Sequence, residues 1–257
     1  MLLALDVGNT NISIGLYEGA ERRAWWRLRT ERERTADEYA VMLAGLLALD
    51  GHRLHDVSAA VVANVVPPTR RPLAEFCERH LRVTPGVVGE NLATPIPVRY
   101  SPPTDVGADR LVNAFAAARL HGAPAVIVDF GTATTFDAVA PDGAYVGGAI
   151  APGIGISLDA LFRAAARLQR VDLVKPPQVI GRTTVESVQS GVLYGFAGQV
   201  DGVVRRFRAE LGGAPRVIAT GGLAELIAPE TETIDTVDPF LTLEGLSLLW
   251  RESHCRS

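Results

Sequence analysis

Lysine is nearly absent from this chain. Lys175 is the single lysine, against 24 arginines. The sequence therefore contains no GxxxxGK[ST] phosphate loop, and it has no second lysine for Schiff-base chemistry. If the protein recognises phosphates, it must do so through backbone amides, hydroxyls, arginines and metal ions.

Cysteine and long apolar stretches are also scarce. Cys77 and Cys255 lie far apart in sequence, so they support neither a disulfide framework nor a metal knuckle. The longest uncharged stretch, Gly143 to Leu158, is broken by several glycines and Pro152, which excludes a membrane-spanning helix there. The N-terminus has no basic region before its apolar residues and meets Asp6 at once, which argues against a signal peptide. We therefore expect a cytoplasmic protein.

The overall composition is that of a folded globular protein. Of the 257 residues, 47% are apolar and 21% are charged, which excludes a disordered chain. The length fits one large α/β unit or two domains. A formal net charge of −4 gives no general attraction to nucleic acid or to an anionic membrane, so neither is expected as a partner.

Two apolar segments of the chain, each predicted to be a strand, end in Asp-x-Gly followed by hydroxyl and amide side chains. Leu2 to Leu5 leads into Asp6-Val7-Gly8-Asn9-Thr10, and Ala125 to Val128 leads into Asp129-Phe130-Gly131-Thr132. Such turns place backbone N–H groups, hydroxyls and one negative charge at the carboxyl end of a sheet. One copy is readily explained as an ordinary strand end. Two copies, one in each half, predict a duplicated fold that holds a nucleotide triphosphate from both sides.

The order of elements supports this duplication. Each half is predicted to contain three antiparallel strands followed by alternating helices and strands, with helices near Thr35 to Leu49, Ser157 to Leu168 and Thr184 to Leu211. This order is the ribonuclease H-like unit as duplicated in actin-like kinases, an inference by analogy. We expect an α/β protein with mixed sheets flanked by helices, divided into an N-terminal domain (1–116) and a C-terminal domain (117–257).

Several residues are candidates for phosphate and metal binding. Asp6 would hold Mg²⁺, directly or through water, against phosphate oxygens. Gly8, Asn9 and Thr10 would offer close backbone approach and donors. Asp129, with Gly131, Thr132 and Thr134, would clamp the phosphates or bind a cation that neutralises them.

A third carboxylate follows the loop Glu90 to Thr104. Asp109, in Gly107-Ala108-Asp109-Arg110, stands at the predicted start of a helix and would orient an acceptor hydroxyl. A helix-start aspartate paired with Arg110 explains the same residues about as well, and Asp105 is a rival for the role. Thr220-Gly221-Gly222 would let an adenine or ribose lie against the backbone, although a Gly pair before a helix is common.

The sequence closely resembles type III pantothenate kinases from Met1 to the last helix. The order and spacing of the matching stretches carry this resemblance; they are Asp6 to Asn11, Val65 to Pro67, Gly107 to Arg110, Asp129 to Thr135, Gly147 to Gly153, Gln189 to Gly191 and Thr220 to Gly222. The resemblance implies ATP-dependent phosphorylation of pantothenate with Mg²⁺ and a monovalent cation, K⁺ or NH₄⁺. It also implies a homodimer in which a second subunit closes the substrate pocket.

The resemblance further assigns residues. Asp109 resembles the catalytic base and Asp129 the monovalent-cation ligand. The ATP contacts it implies are Asp6, Val7, Gly8, Asn9, Thr10, Asn11, Ile12, Ser13, Thr132, Gly221 and Gly222. The pantothenate contacts it implies are Tyr100, Gly107, Ala108, Asp109, Arg110 and Thr184.

The chain departs from the pattern at two positions, where Asn64 replaces a common Ser and Thr183 a common Asn or Asp. Two alternatives remain open at this point. One is a nucleotide-binding accessory factor for transcription from the same family, against which the intact Asp6, Asp109 and Asp129 argue. The other is a kinase of the same fold that acts on a sugar or another small alcohol.

Overall fold

The chain folds into two compact units. The structure, a computed structural model, describes residues 1–165, 168 and 170–254. The first unit comprises Met1–Ile96, Ser101–Ala116 and the helix Leu241–His254, and the second comprises Pro97–Tyr100 and Ala117–Phe240. The sequence predicted a simple boundary between residues 116 and 117. The division in the structure differs because the last helix packs in the first unit and Tyr100 belongs to the second.

Each unit is built around a mixed sheet of five strands. The strands are β1 (Leu2–Val7), β2 (Asn11–Glu18), β3 (Glu21–Arg29), β4 (Ala59–Asn64), β5 (Gly86–Val87), β6 (Ala125–Phe130), β7 (Ala133–Val139), β8 (Tyr145–Pro152), β9 (Arg216–Thr220) and β10 (Thr236–Val237). The first sheet has the order β3-β2-β1-β4-β5, and the second has the matching order β8-β7-β6-β9-β10. In both, the first three strands pair antiparallel and the later ones parallel. The predicted duplication is confirmed.

Helices flank the sheets. They are α1 (Ala36–Leu49), α2 (Pro67–Phe76), α3 (Ala108–Ala116), α4 (Ile154–Ala164), α5 (Thr184–Leu211), α6 (Ala224–Ile227) and α7 (Leu241–His254). The predicted capping box of α1 is present, since Thr35 accepts a hydrogen bond from the Glu38 N–H and Glu38 accepts one from the Thr35 N–H. In the first unit α7 packs on α3 and on β1, β2 and β4. Within the described part of the chain, no helix has the length and hydropathy of a transmembrane segment.

Several strands and helices begin or end at residues other than those predicted. Asp6 and Asp129 lie inside β1 and β6, where they pair with neighbouring strands, so the turns that follow are shorter than expected. The helix predicted over Ser157 to Leu168 is α4, which begins earlier and ends at Ala164; Ala166 and Arg167 of that prediction lie outside the described residues. Cys255 also lies outside them.

Buried side chains hold the central strands β1 and β2 against the helices. In the first unit, alternate residues of β1 and β2, such as Leu5 and Ile14, pack with Leu43 of α1 and Phe76 of α2, all exposing 1% or less. Each such side chain contributes about 1.5–3 kcal/mol on burial. Burial also raises the pKa of the Cys77 thiol to about 12, so this cysteine remains protonated and inert at neutral pH. The two rigid sheets thereby hold the polar turns in place.

Candidate active site

The first Asp-x-Gly turn is a tight connection between β1 and β2. The Gly8 N–H donates to the Asn11 carbonyl at 3.0 Å, which closes the turn. Asp6 and Ser13 are directly paired across the two strands, so their side chains share one face of the sheet. Asn9, Thr10 and Asn11 are exposed, whereas Val7 and Ile12 are buried in the core. Of the predicted loop residues, therefore, the side chains of Val7 and Ile12 are structural, and only their backbone is left for a ligand.

Thr30 supports this turn from the end of β3. Its hydroxyl donates to the Gly8 carbonyl at 2.6 Å, and its N–H donates to the Thr10 carbonyl at 3.0 Å. These two hydrogen bonds fix the carbonyl groups of the turn and so orient its N–H groups in the opposite direction. The sequence analysis missed Thr30 because the residue follows a strand by one position and matches no motif.

The second Asp-x-Gly turn is packed against two glycines of the same unit. Asp129 is paired with Thr220 of β9, so Gly221 directly follows the strand beside it. Gly221 has φ +90°, and a Cβ there would lie 2.5 Å from the Asp129 Oδ1 and 2.7 Å from the Phe130 backbone. Only glycine fits both the conformation and the space. The structure thus brings Asp129 and the Gly221-Gly222 turn together, a contact that the sequence did not predict.

Thr132 lies beside the start of α4. A Cβ on Gly153, the N-cap of that helix, would lie 2.1 Å from the Thr132 carbonyl oxygen. Gly153 therefore allows the turn and the helix to pack backbone against backbone. The Thr132 side chain is exposed, and the positive end of the α4 dipole lies next to it. This arrangement suits a phosphate better than an isolated turn would.

Asp109 lies in the first turn of α3, where its carboxylate is close to the backbone. Its Oδ1 accepts a hydrogen bond from the Arg110 N–H at 2.8 Å. A Cβ on Gly107 would lie 2.5 Å from the same oxygen, so this glycine makes room for the carboxylate. Burial raises the pKa of the Asp109 carboxyl above its usual value, and the hydrogen bond and charge of Arg110 offset part of that rise. Asp105, the rival from the sequence, is exposed.

Asn64 organises the loop that adjoins Gly107. Its Oδ1 accepts from the Val66 N–H at 2.7 Å, and its Nδ2 donates to the Thr69 hydroxyl at 3.0 Å. Val65, held between these bonds, lies 3.5 Å from the position of a Gly107 Cβ. Asn64, which replaces a common Ser of the family pattern, therefore has a structural role, because it fixes the backbone against which the Asp109 motif packs. A polar residue ending a buried strand was the signal in the sequence.

Tyr100 and Thr184 both belong to the second unit. Tyr100 is half-buried and follows a short extended segment beside β8, where a Cβ on Gly147 would lie 3.7 Å from its ring. Thr184 is exposed at the first position of α5. Thr183 is the N-cap of that helix and accepts from the Glu186 N–H at 3.1 Å, so its hydroxyl performs the role of the more common Asn or Asp.

The residues of the first turn fit a magnesium ion that arrives with its phosphates. Within residues 1–165, 168 and 170–254, no three His, Cys, Asp or Glu side chains form a cluster that would hold a metal alone. Mg²⁺ bound to nucleotides takes only one or two carboxylates and completes its shell with phosphate oxygens and water. Asp6, with the Ser13 hydroxyl on the same face, fits that chemistry.

These features define an α/β protein of the duplicated ribonuclease H-like class to which the actin-like kinases belong. Two solved structures share the fold over nearly their full lengths. A putative Baf family transcriptional activator from Campylobacter jejuni matches with TM-score 0.62 at 19% identity, covering 98% of this chain and 99% of the other. A putative 2-dehydro-3-deoxygalactonokinase from Sinorhizobium meliloti matches with TM-score 0.58 at 16% identity, covering 98% and 96%. At such identities the likeness concerns the fold alone.

Comparison with relatives in sequence identifies the family within this class. The model of the type III pantothenate kinase family matches residues 2–206. The chain is 51% identical to a type III pantothenate kinase of Moorella thermoacetica over 98% of this chain and all of that one. It is 52% identical to one of Roseiflexus sp. (strain RS-1), over 97% and 98%. The chain belongs to the type III pantothenate kinase family.

Proposed function

We propose that this protein transfers the γ-phosphoryl group of ATP to the 4′-hydroxyl of pantothenate. The product, 4′-phosphopantothenate, is the first intermediate on the route to coenzyme A. The observation that carries the proposal is about 50% identity with type III pantothenate kinases over almost the whole chain. A partly buried carboxylate set against a glycine at the start of α3 supports it, because a binding module has no need for a carboxylate at an acceptor hydroxyl.

Asp109 acts on the acceptor in this proposal. Its Oδ1 is held by the Arg110 N–H, so we assign to Oδ2 the hydrogen bond from the pantothenate hydroxyl. Phosphoryl transfer passes through a loose transition state, in which orientation of the hydroxyl matters early and the proton moves late. The raised pKa of the Asp109 carboxyl makes it a better final proton acceptor than an ordinary aspartate.

The two turns bind the nucleotide. Asp6 to Ser13 and Thr132 contact the phosphates of ATP, and Gly221-Gly222 lies on the adenosine side. Mg²⁺, held through Asp6 directly or by a bound water, would neutralise charge on the phosphates when bound. The hydrogen bonds from Thr30 support this role, since they preset the N–H groups of the first turn before the nucleotide arrives.

Asp129 holds a monovalent cation, K⁺ or NH₄⁺, beside the second turn. Its Oδ1 lies against Gly131 and Gly221, whose neighbourhood offers backbone oxygens to a weakly solvated cation. Asp129→Ala is expected to raise the half-activating K⁺ concentration roughly tenfold or more, since a charged ligand is lost. Initial rates across a K⁺ titration measure this. Asp159→Ala, which removes an exposed carboxylate of α4, is the matched control. If the parent, Asp129→Ala and Asp159→Ala all gave the same K⁺ titration curve, Asp129 would not be the cation ligand.

Pantothenate contacts Tyr100, Thr184 and the Gly107 to Arg110 motif, and a second copy of the chain completes the pocket. Support for a homodimer comes from exposed apolar side chains of the second unit, which we call the apolar surface: Ile150, Ile156, Leu161, Val179, Ile180 and Val185. These residues come from β8, α4, the start of α5 and the segment before it. Ile180 exposes 82% and Ile150 67%, so covering these side chains with a second copy would remove apolar area from water.

Ile180→Glu tests the dimer. A charge at the most exposed position of the apolar surface has to be desolvated on association, so the variant is expected to sediment as a monomer while the parent sediments as a dimer. Val41→Glu, at an exposed apolar residue of α1, is the control and should leave the mass unchanged. A monomeric parent protein would refute the homodimer.

The activity itself is tested by ADP release from purified protein. Pantothenate is compared with a panel of sugars and small alcohols, with and without K⁺, and the phosphorylated product is identified by mass. We expect release with pantothenate only. Release with a sugar instead would favour the general kinase alternative, and ATP binding without turnover on any acceptor would favour the accessory factor. We also propose a cytoplasmic location, where ATP is the available phosphoryl donor.

A further inference from the structure

Tyr100 stands in a part of the chain that has little structure of its own. It follows a proline-rich loop without a long helix or strand, yet the proposed function needs its ring in one place. Such a residue requires a rigid neighbour, because an unfixed side chain loses conformational freedom each time the substrate binds. The neighbour in the second unit is Tyr145, the first residue of β8.

Tyr145 holds the Tyr100 segment through its backbone and its ring. The Tyr145 N–H donates to the Pro97 carbonyl at 2.8 Å, and the Arg99 N–H donates to the Tyr145 carbonyl at 2.8 Å. The two tyrosine rings pack with their centroids 6.2 Å apart and a tilt of 53°, within the range of favourable aromatic pairs. An ion pair between Arg99 and Asp142 closes the other side of the segment.

The Tyr145 ring is in turn fixed by a carboxylate inside the sheet. Its hydroxyl donates to the Asp137 Oδ1 at 2.9 Å, and both residues expose 0% of their surface. Asp137 lies in the middle of β7, where it pairs with Ile127 of β6 and Gly148 of β8. A buried carboxylate is costly unless it is well hydrogen-bonded, and a phenylalanine at 145 would fill the same apolar space. Asp137 therefore needs the Tyr145 hydroxyl, and this bond ties the Tyr145 ring to β7.

We propose that Asp137 and Tyr145 are positioning residues for Tyr100 and thereby set the affinity for the acceptor substrate. Asp137 fixes the Tyr145 ring, and this ring packs on the Tyr100 ring, which lies beside Gly147. Neither residue touches the phosphates or the reacting hydroxyl. Their removal should weaken acceptor binding and leave the chemical step and ATP binding unchanged. This inference rests on the proposed function only in assigning the acceptor contact to Tyr100.

The test uses Tyr145→Phe, which keeps the ring and deletes the hydroxyl. One readout is hydrogen–deuterium exchange in the peptide covering residues 97–104 without any substrate, which should become faster. The second is kinetics: the KM for pantothenate should rise roughly fivefold, the size of one typical net hydrogen bond, with kcat and the KM for ATP within about twofold. Asp137→Asn keeps an acceptor for the Tyr145 hydroxyl, so both readouts should stay near those of the parent.

Tyr39→Phe is the matched control, since Tyr39 is a buried tyrosine of the first unit that packs on Phe76. It should change neither readout. Unchanged exchange in Tyr145→Phe, or equal changes in Tyr39→Phe, would overturn the positioning role. If exchange rises as expected but the parent protein does not phosphorylate pantothenate, the positioning role stands and the proposed function fails.

Discussion

Asp109→Asn is expected to lower kcat by about 10² to 10⁴-fold, the usual contribution of a positioned general base. The amide still accepts the hydrogen bond from the Arg110 N–H, so the loop should keep its conformation. Binding of ATP, measured by titration calorimetry, should remain near that of the parent because the proposed nucleotide contacts do not include Asp109. Steady-state turnover with saturating pantothenate measures the effect.

The same variant should be at least as stable as the parent at neutral pH. The pKa of the Asp109 carboxyl is raised on folding, so between the unfolded value of about 3.9 and the raised value the folded state binds more protons. Stability therefore falls as the pH rises through that interval, and the cost persists above it. Asparagine removes the cost, so Tm at pH 7.5 should rise while turnover is lost. In the parent, activity should fall on acidification at a higher pH than an ordinary aspartate would give.

Asp105→Asn is the control for these measurements. Asp105 is close in sequence and carries the same charge, but it is exposed in the turn before the motif. Its substitution should leave kcat within about twofold and Tm unchanged, as is usual for exposed positions. A large loss of turnover in Asp105→Asn with a normal Asp109→Asn enzyme would transfer the catalytic role to Asp105.

Gly221→Ala is expected to abolish most of the activity by a different route. The added Cβ would lie 2.5 Å from the Asp129 Oδ1 and 2.7 Å from the Phe130 backbone, so the carboxylate or the turn has to move. We expect ATP affinity and K⁺ activation to fall together, each by about tenfold or more, since a displacement of about 1 Å in a positioned group is costly. Nucleotide titration and a K⁺ series measure both.

Gly122→Ala separates this steric effect from backbone strain. Gly122 has φ +91°, nearly the angle of Gly221, but a Cβ there meets no atom within 4 Å. Both variants therefore share the cost of a positive φ, about 1 kcal/mol or slightly more. Only Gly221→Ala adds the collision. Nucleotide affinity that is equally weak in the two variants would show that strain, and not contact with Asp129, explains the loss.

The sequence patterns predicted the strands well where side chains alternate between apolar and polar or are continuously apolar. The three antiparallel strands of each half, the capping box of α1 and the long helix α5 all follow from local periodicity and caps. The predicted ends of strands were less accurate where pairing with strands distant in sequence decides them. Asp129 lies within β6 because β7 and β9 extend alongside it, which no local signal in the sequence indicates.

The candidate site was also only partly predictable. Its carboxylates and glycines follow from motifs, because these residue types have few other reasons to recur at strand ends. Thr30 and Tyr145 were not found, since each acts on the site through a residue distant in sequence, Gly8 and Tyr100 respectively. Asn64 was noticed only as a departure from the family pattern, and its hydrogen bonds to Val66 and Thr69 were not foreseen. Helix α7 was predicted as part of the second half but packs in the first compact unit, and its partners α3, β1 and β4 precede it by more than a hundred residues.

The amino-acid sequence by itself determined the class of this protein and its duplication, and it supplied the candidate groups that we propose for phosphate, cation and acceptor, because periodicity and turn chemistry are local. Only the tertiary structure decided which of those groups meet. Close packing placed Gly221 against Asp129 and Val65 against Gly107, and burial raised the pKa of the Asp109 carboxyl. Such contacts depend on the folding of distant segments into one core, and no stretch of sequence contains them alone.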